Sequence, residues 1–252
     1  MSAINFLEKV KIIFEDEDFL AIDKPSGLVV HADGRTEEES LVDWVKSFSE
    51  KNNLNLENIG NPHTLDSGRY ASRWGVVNRL DRETSGVILI AKTNTSFENL
   101  QKQFSERKIE KEYLAVCWGA AERRPLSGKI TEPLSRHKKD PRIWVLQNEE
   151  GARNTGRDAE TDYEIVKGKD NFLLIKFWPK TGRTHQIRLH AKFLGTPILG
   201  DKKYGVGGID NPKKEDLENR LMLHAKSLKF LHPTTGEEII IESELPEEFK
   251  DF

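Results

Sequence analysis

The chain has 252 residues, with 39 Lys and Arg against 42 Asp and Glu, a formal net charge of −3, and one cysteine. That length can bury a sizeable core, in one large domain or two small ones, and the slight acidic excess lacks the basic balance that usually marks a nucleic-acid binder. A single thiol excludes an internal disulfide or a cysteine-built zinc cluster; no apolar run reaches membrane-spanning length, and the N-terminus has no signal-peptide core.

In chain order, Lys11 to Ile22 alternates as strand, turn and strand, with Glu15-Asp16-Glu17-Asp18 at the turn. Lys24-Pro25-Ser26-Gly27 makes a second turn. Thr36 to Glu50 predicts a helix, because Leu41, Trp44, Val45 and Phe48 recur at three- and four-residue spacing. Lys51 to Trp74 is polar and without period, and is expected to be a long loop. Val87 to Ala91 is apolar throughout, as a buried strand would be. Ser96 to Ser105 reads as a helix with Phe97, Leu100 and Phe104 on one face. Lys111 to Val116 reads as a strand, and Cys117 just beyond it as a buried thiol rather than a nucleophile. Arg123 to Asn154 is an irregular basic excursion with short strands. Ala159 to Val166, Phe172 to Trp178 and Ile239 to Glu242 are further strands, and Thr184 to Leu194 a helix led by a Gly-Arg-Thr turn. Strands followed by isolated helices predict an α+β fold with a largely antiparallel sheet. No interdomain linker or internal repeat is visible.

The charges are unevenly placed. Acids cluster at Glu15 to Asp18, Glu37 to Glu39 and Glu237 to Glu248; bases gather at Arg79 and Arg82, Arg136 to Lys139, and Lys180 to Arg188. A basic groove in an acidic protein is therefore expected, with a modest salt slope.

The most informative stretch is Asn78-Arg79-Leu80-Asp81-Arg82-Glu83-Thr84-Ser85-Gly86. A carboxylate stands between two arginines, in front of turn residues and a buried strand: a charged loop on a rigid anchor. An aspartate between arginines is usually a solvated surface turn. Here the run resembles the His-Arg-Leu-Asp-x-x-Thr-Ser-Gly signature of the RluA/RluD-type pseudouridine synthases. It departs where the family's usual histidine is Asn78. Further segments resemble the family in its order: Phe14 to His31, Lys111-Glu112-Tyr113-Leu114-Ala115-Val116, Lys180 to His190, Pro197-Ile198-Leu199-Gly200-Asp201, and Leu221-Met222-Leu223-His224-Ala225.

The resemblance implies a pseudouridine synthase fold, a mixed, largely antiparallel sheet flanked by helices with a central active-site cleft. It implies an RNA pseudouridine synthase, an isomerase acting on uridines of ribosomal or transfer RNA, with Asp81 as nucleophile. Tyr113 would stack on the target base, and Arg79 would fill the space the flipped base leaves. Arg188 would be the cation that keeps Asp81 ionised. Arg183, after a glycine turn at a helix start, suits a phosphate. Arg183 and Arg188 are five apart on a helix and cannot share one face well, which separates their roles. Arg82 and His185 complete the RNA-binding candidates. The segment 11–252 is expected to be the catalytic domain after a short extension of residues 1–10, without the N-terminal RNA-binding domain of many relatives. No cofactor, metal or membrane is expected, and the protein is expected to be a cytoplasmic monomer. His185 and His190 are badly spaced for a shared metal, and no His-Glu-x-x-His motif occurs. Two other classes compete. An RNA-binding module with a dead site has no need of Asp81, Tyr113 and Arg188 together. A carboxylate-dependent hydrolase lacks a second carboxylate or oriented base.

Overall fold

The computed structural model describes residues 6–32, 38–60, 73–120, 125–140, 142–205, 220–250 and 252. The chain divides into two compact units, Met1–Glu110 with Ser227–Ser243, and Lys111–Lys226 with Glu244–Phe252. The architecture is α+β, mostly antiparallel in its sheet, with three α-helices among the described residues.

In the first unit β1 (Lys11–Glu15), β2 (Phe19–Lys24) and β3 (Ser85–Ala91) pair antiparallel in that order. The later part of β10 (Leu223–Leu231) follows β3, and β11 (Glu238–Glu242) closes antiparallel on β10. Phe19 to Ile22 have no exposed surface and every residue of β3 is buried, as continuous apolar runs require. Helix α1 (Leu41–Lys51) buries Leu41, Val42 and Val45, and α2 (Asn94–Ser105) buries Phe97 and Leu100. The start of α1 lies later than the periodicity predicts. Asp43 accepts the Ser40 backbone N–H at 3.0 Å, a capping arrangement that sets the boundary at Ser40. Thr36 and Glu37 lie outside the described residues, as do residues 61–72 of the predicted long loop.

The acidic turn of residues 15–18 is a structural knot rather than a solvated patch. Asp16 Oδ1 accepts the N–H groups of Asp18 and Phe19 at 2.8 and 2.9 Å, and its Oδ2 accepts His232 Nε2 at 2.9 Å. These bonds hold the Asp16 carboxyl below the usual carboxylate range against the opposing effect of burial.

In the second unit β4 (Glu110–Trp118), β9 (Phe172–Pro179), β8 (Thr161–Lys169) and β5 (Ser127–Ile130) pair antiparallel in that order, with β10 beside β4. Leu114, Val116, Cys117, Ile175, Phe177, Leu199 and Met222 share its core. Cys117 is fully buried, and burial pushes its thiol up, as a structural cysteine requires. A smaller core of Leu134, Leu146, Ala159, Leu189 and Tyr204 joins the hairpin of β6 (Leu134–Arg136) and β7 (Trp144–Leu146) to α3 (Gln186–Phe193). Strand β10 escapes the periodicity because Leu223–Leu231 mixes His and Lys with its apolar residues. Helix α3 begins two residues after Thr184, so Arg183 belongs to the preceding turn, and the shared-helix argument for parting it from Arg188 does not hold.

Residues 75–78 run back along β3. The Gly75 carbonyl accepts Ala91 N–H at 2.8 Å, and Val77 N–H reaches Leu89 O at 2.9 Å. Gly75 has φ of +74°, and a Cβ there would stand 2.2 Å from Ala91 O. Gly236 has φ of +72° with nothing within 4 Å of such a Cβ. Gly236→Ala is therefore expected to cost about 1 kcal/mol, the left-handed strain alone, and Gly75→Ala at least about 2 kcal/mol more through collision with backbone. Denaturant titration of both variants checks this, and equal losses would refute it.

Candidate active site

The sequence places Asp81 on a loop, and the structure shows what fastens that loop. Lys24 ends β2 with no exposed surface. Its ammonium donates to the carbonyls of Pro25, Leu28 and Arg82 at 2.8, 2.8 and 3.0 Å. The Arg82 carbonyl also accepts Gly27 N–H at 2.9 Å, and Ser26 Oγ donates to Glu83 O at 2.6 Å. The Lys24-Pro25-Ser26-Gly27 turn thus grips the two residues that follow Asp81. On the other side, Asn78 behaves as part of the sheet. Its Oδ1 accepts Leu89 N–H at 2.8 Å and its Nδ2 donates to Val87 O at 3.3 Å. Thr84 N–H closes a turn on the Asp81 carbonyl at 3.2 Å. Asp81 is half-buried between these two clamps, while Leu80 is buried beneath it.

The neighbouring arginines differ. Arg79 is exposed. Arg82 makes a bidentate pair with Glu38, both bonds 2.6 Å. The pair is nearly half exposed, so it holds at most about 1 kcal/mol and a phosphate can compete for the guanidinium.

In the second unit Tyr113 lies on β4 opposite Phe177, half-buried and packed against the core. Lys111 Nζ donates to Thr181 O at 3.3 Å, tying this strand to the turn before α3. Gln186, buried at the start of α3, organises that turn: its Oε1 accepts Thr181 Oγ1 at 2.7 Å and Arg183 N–H at 3.0 Å, and its Nε2 donates to Glu160 O and Thr161 Oγ1, both at 2.9 Å. Arg183 is partly exposed, with Nε on Asp158 O at 3.0 Å.

Arg188 is the buried cation of this unit. Its Nε and Nη2 donate to Asp201 Oδ2 and Oδ1 at 2.8 and 2.7 Å, with side-chain exposures of 5 % and 1 %. Burial alone would raise the Asp201 pKa; the Arg188 guanidinium and two backbone N–H groups outweigh it and hold the carboxyl low. Tyr204 lies under the guanidinium, 5.1 Å from ring centre to Cζ, and its hydroxyl is 2.7 Å from His185 Nδ1. His185 stands just before α3 with φ of +57°, an uncommon conformation for a residue with a Cβ.

Comparison with known proteins decides what such loops belong to. Residues 18–193 match the family described as RNA pseudouridylate synthase. The chain belongs to that family. An uncharacterized RNA pseudouridine synthase of Aquifex aeolicus is 39 % identical over 96 % of this chain and 71 % of its own length. Ribosomal large subunit pseudouridine synthase C of Buchnera aphidicola is 37 % identical over 96 % and 69 %. Ribosomal large subunit pseudouridine synthase D of Xanthomonas campestris is 34 % identical over 96 % and 67 %. Among solved structures, human RNA pseudouridylate synthase domain containing 4 superposes with a TM-score of 0.71 at 25 % identity, over 97 % of this chain and 91 % of that one. The chain is thus an RNA pseudouridine synthase of the RluA/RluD type, an isomerase.

Within this synthase the predicted site residues fall in two sets. Arg79, Asp81 and Arg82 share the loop of the first unit; Tyr113, Arg183, His185 and Arg188 belong to the second. Lys24, Asp201 and Tyr204 were missed. Lys24 carried a signal, a cation closing an apolar strand. Asp201 closes the Pro197 to Asp201 segment, and its Oδ1 accepts the N–H groups of Lys203 and Tyr204.

The imidazoles have defined work. His190 Nε2 lies 3.0 Å from Glu132 O and must donate there, so Nδ1 accepts from Thr161 Oγ1 at 2.8 Å; burial holds its pKa down. Asp16, Asp18 and His232 bring ligand-type atoms within 4.8 Å of one another. There His232 Nδ1 accepts the N–H groups of Thr234 and Thr235, which puts the proton on Nε2 and turns a donor, not a lone pair, toward the acids. That cluster is satisfied by hydrogen bonds. No described helix is long and apolar enough to cross a membrane.

Lys24→Met tests the loop clamp. It keeps the stem but removes the ammonium donor from all three carbonyls, leaving only Gly27 N–H on that of Arg82, and is expected to cost about 3 kcal/mol of stability and to slow turnover. Thermal unfolding and a rate assay check both; an unchanged melting temperature would contradict the clamp.

Proposed function

We propose that the chain isomerises specific uridines of ribosomal or transfer RNA to pseudouridine with Asp81 as nucleophile. The observation that carries this reading is the clamped, half-buried Asp81 in its Arg79-Leu80-Asp81-Arg82 loop. A nucleophile gains when its approach is fixed before the substrate arrives. The conversion breaks the bond from the ribose to the base nitrogen, turns the base and joins it through carbon 5. The proton lost from carbon 5 balances the one gained at nitrogen, so residues of the chain suffice and the reading includes no cofactor. Arg79 fills the gap of the flipped nucleotide, Tyr113 stacks on the base, and Arg188 supplies the positive charge that favours ionised Asp81. Arg82, Arg183 and His185 contact the RNA. Residues 11–252 act as one catalytic domain, in a cytoplasmic monomer.

Two relatives are named for the large ribosomal subunit. Those names support unmodified large-subunit ribosomal RNA as the first transcript to test, with transfer RNA transcripts beside it.

Asp81→Asn preserves shape and removes nucleophilicity. With transcripts labelled with tritium at carbon 5 of uridine, tritium release is expected to fall to background while filter binding persists. Turnover by Asp81→Asn at the wild-type rate would overturn the assignment.

The two arginines of the second unit should part company. Arg188→Met is expected to lower the rate at saturating RNA with little change in affinity. Arg183→Ala is expected to weaken binding and lower the salt slope by about one, the signature of a lost phosphate contact. Rate and affinity across a salt series measure both, and indistinguishable effects would remove the division of roles.

A further inference from the structure

Asp201 is tied to Arg188 by more than charge. The guanidinium presents Nε and one Nη2 hydrogen to the two carboxylate oxygens, at 2.8 and 2.7 Å. This side-on grip leaves the Nη1 hydrogens and the second Nη2 hydrogen directed away from Asp201. The carboxylate cannot turn, because Oδ1 also accepts Lys203 N–H at 2.9 Å and Tyr204 N–H at 3.0 Å. The turn cannot easily shift either. Gly200 has φ of +73° and fits so closely that a Cβ would stand 1.8 Å from Arg220 O, and Gly205 N–H closes on Asp201 O at 2.9 Å. The Tyr204 ring fixes the face of the guanidinium, and the hydroxyl of that ring is held by His185. Arg188 is therefore fixed in position, tilt and direction by one turn that never appears among the expected catalytic residues.

We propose that Asp201 is a positioning residue of the pseudouridylation reaction, acting through Arg188. The inference rests on the reading of Arg188 as a residue of turnover. Its chemical content is direction: a buried cation would form an ion pair with any carboxylate, but the hold of this turn sets where the remaining guanidinium hydrogens point. Small displacements of such a group cost rate rather than binding.

Two substitutions separate aim from charge. In Asp201→Asn the amide oxygen can take the Oδ1 place and keep both backbone N–H bonds, while the amide nitrogen faces the Nε hydrogen and repels it. In Asp201→Glu the charge stays, so the buried cation keeps a counter-ion, but the added methylene displaces the guanidinium. Both variants are expected to lose about 10- to 100-fold in rate at saturating transcript and to keep affinity within about twofold, as orienting partners do. The substrate is the tritiated transcript that the wild-type protein modifies. In an Arg188→Met background, Asp201→Asn should add no further loss, because there is nothing left to aim. Folding is followed by thermal melting, and if Asp201→Asn does not fold, Asp201→Glu decides. Wild-type turnover by a folded Asp201→Glu would overturn the proposal. So would losses from Arg188→Met and Asp201→Asn that multiply, or a loss seen only in affinity. Wild-type turnover by Arg188→Met itself would instead overturn the underlying reading of Arg188. A slow Arg188→Met beside a fast Asp201→Glu would leave that reading intact and remove Asp201.

Discussion

An ammonium with no exposed surface must place its protons on protein oxygens, and Lys24 places them on the carbonyls of Pro25, Leu28 and Arg82. A buried charge without partners would cost several kcal/mol, and these bonds offset that cost. That condition shapes the first unit. It fixes the end of β2, folds the following turn back, and brings the Arg82 carbonyl to a set place beside Asp81. A loop built of Arg, Asp and Glu would otherwise prefer water and many conformations. The core of β2 and β3 supplies the rigid floor, and Asn78 adds a second fastening by pairing with β3 as a strand would.

The second unit solves the same problem with a different pair. Arg188 and Asp201 are both buried, and neither could be removed alone without leaving an uncompensated charge. Around them Gln186, Thr161, Thr181 and His190 form a polar network in which each donor meets an acceptor. Such networks are specific because partial satisfaction is costly. In both units a buried cation is bound to backbone or carboxylate beside an exposed segment rich in Arg or His. Burial supplies the rigidity of the segment beside it.

The charge distribution follows the same logic. In the acidic turn, Asp16 caps the turn and binds His232, and Glu15 binds Lys92. The β6–β7 hairpin carries Arg136, with its guanidinium 5.3 Å from the Trp144 ring, on a small core shared with α3. Expected from sequence as an irregular basic excursion with short strands, this segment carries β5, β6 and β7 among its described residues.

Much of this was legible in the chain. A continuous apolar run gave β3, because a strand buried on both faces leaves little choice of residue, and alternation gave the strand pair that contains β2. Helical spacing gave α1 and α2, and the ordered motifs pointed to Asp81, Tyr113 and Arg188. Strand β10 stayed hidden, since its polar residues break the pattern, and the start of α3 was misplaced because His185 has a left-handed backbone that no spacing reports. The sequence by itself determined which groups the chain owns and the periodic elements that carry them, because burial patterns and turn chemistry are local. Only the tertiary structure decided that Lys24 clasps the carbonyl of Arg82, 58 positions away, and that Asp201 grips Arg188. A buried charge takes whatever partner the folded chain brings within about 3 Å, and sequence distance has no part in that choice.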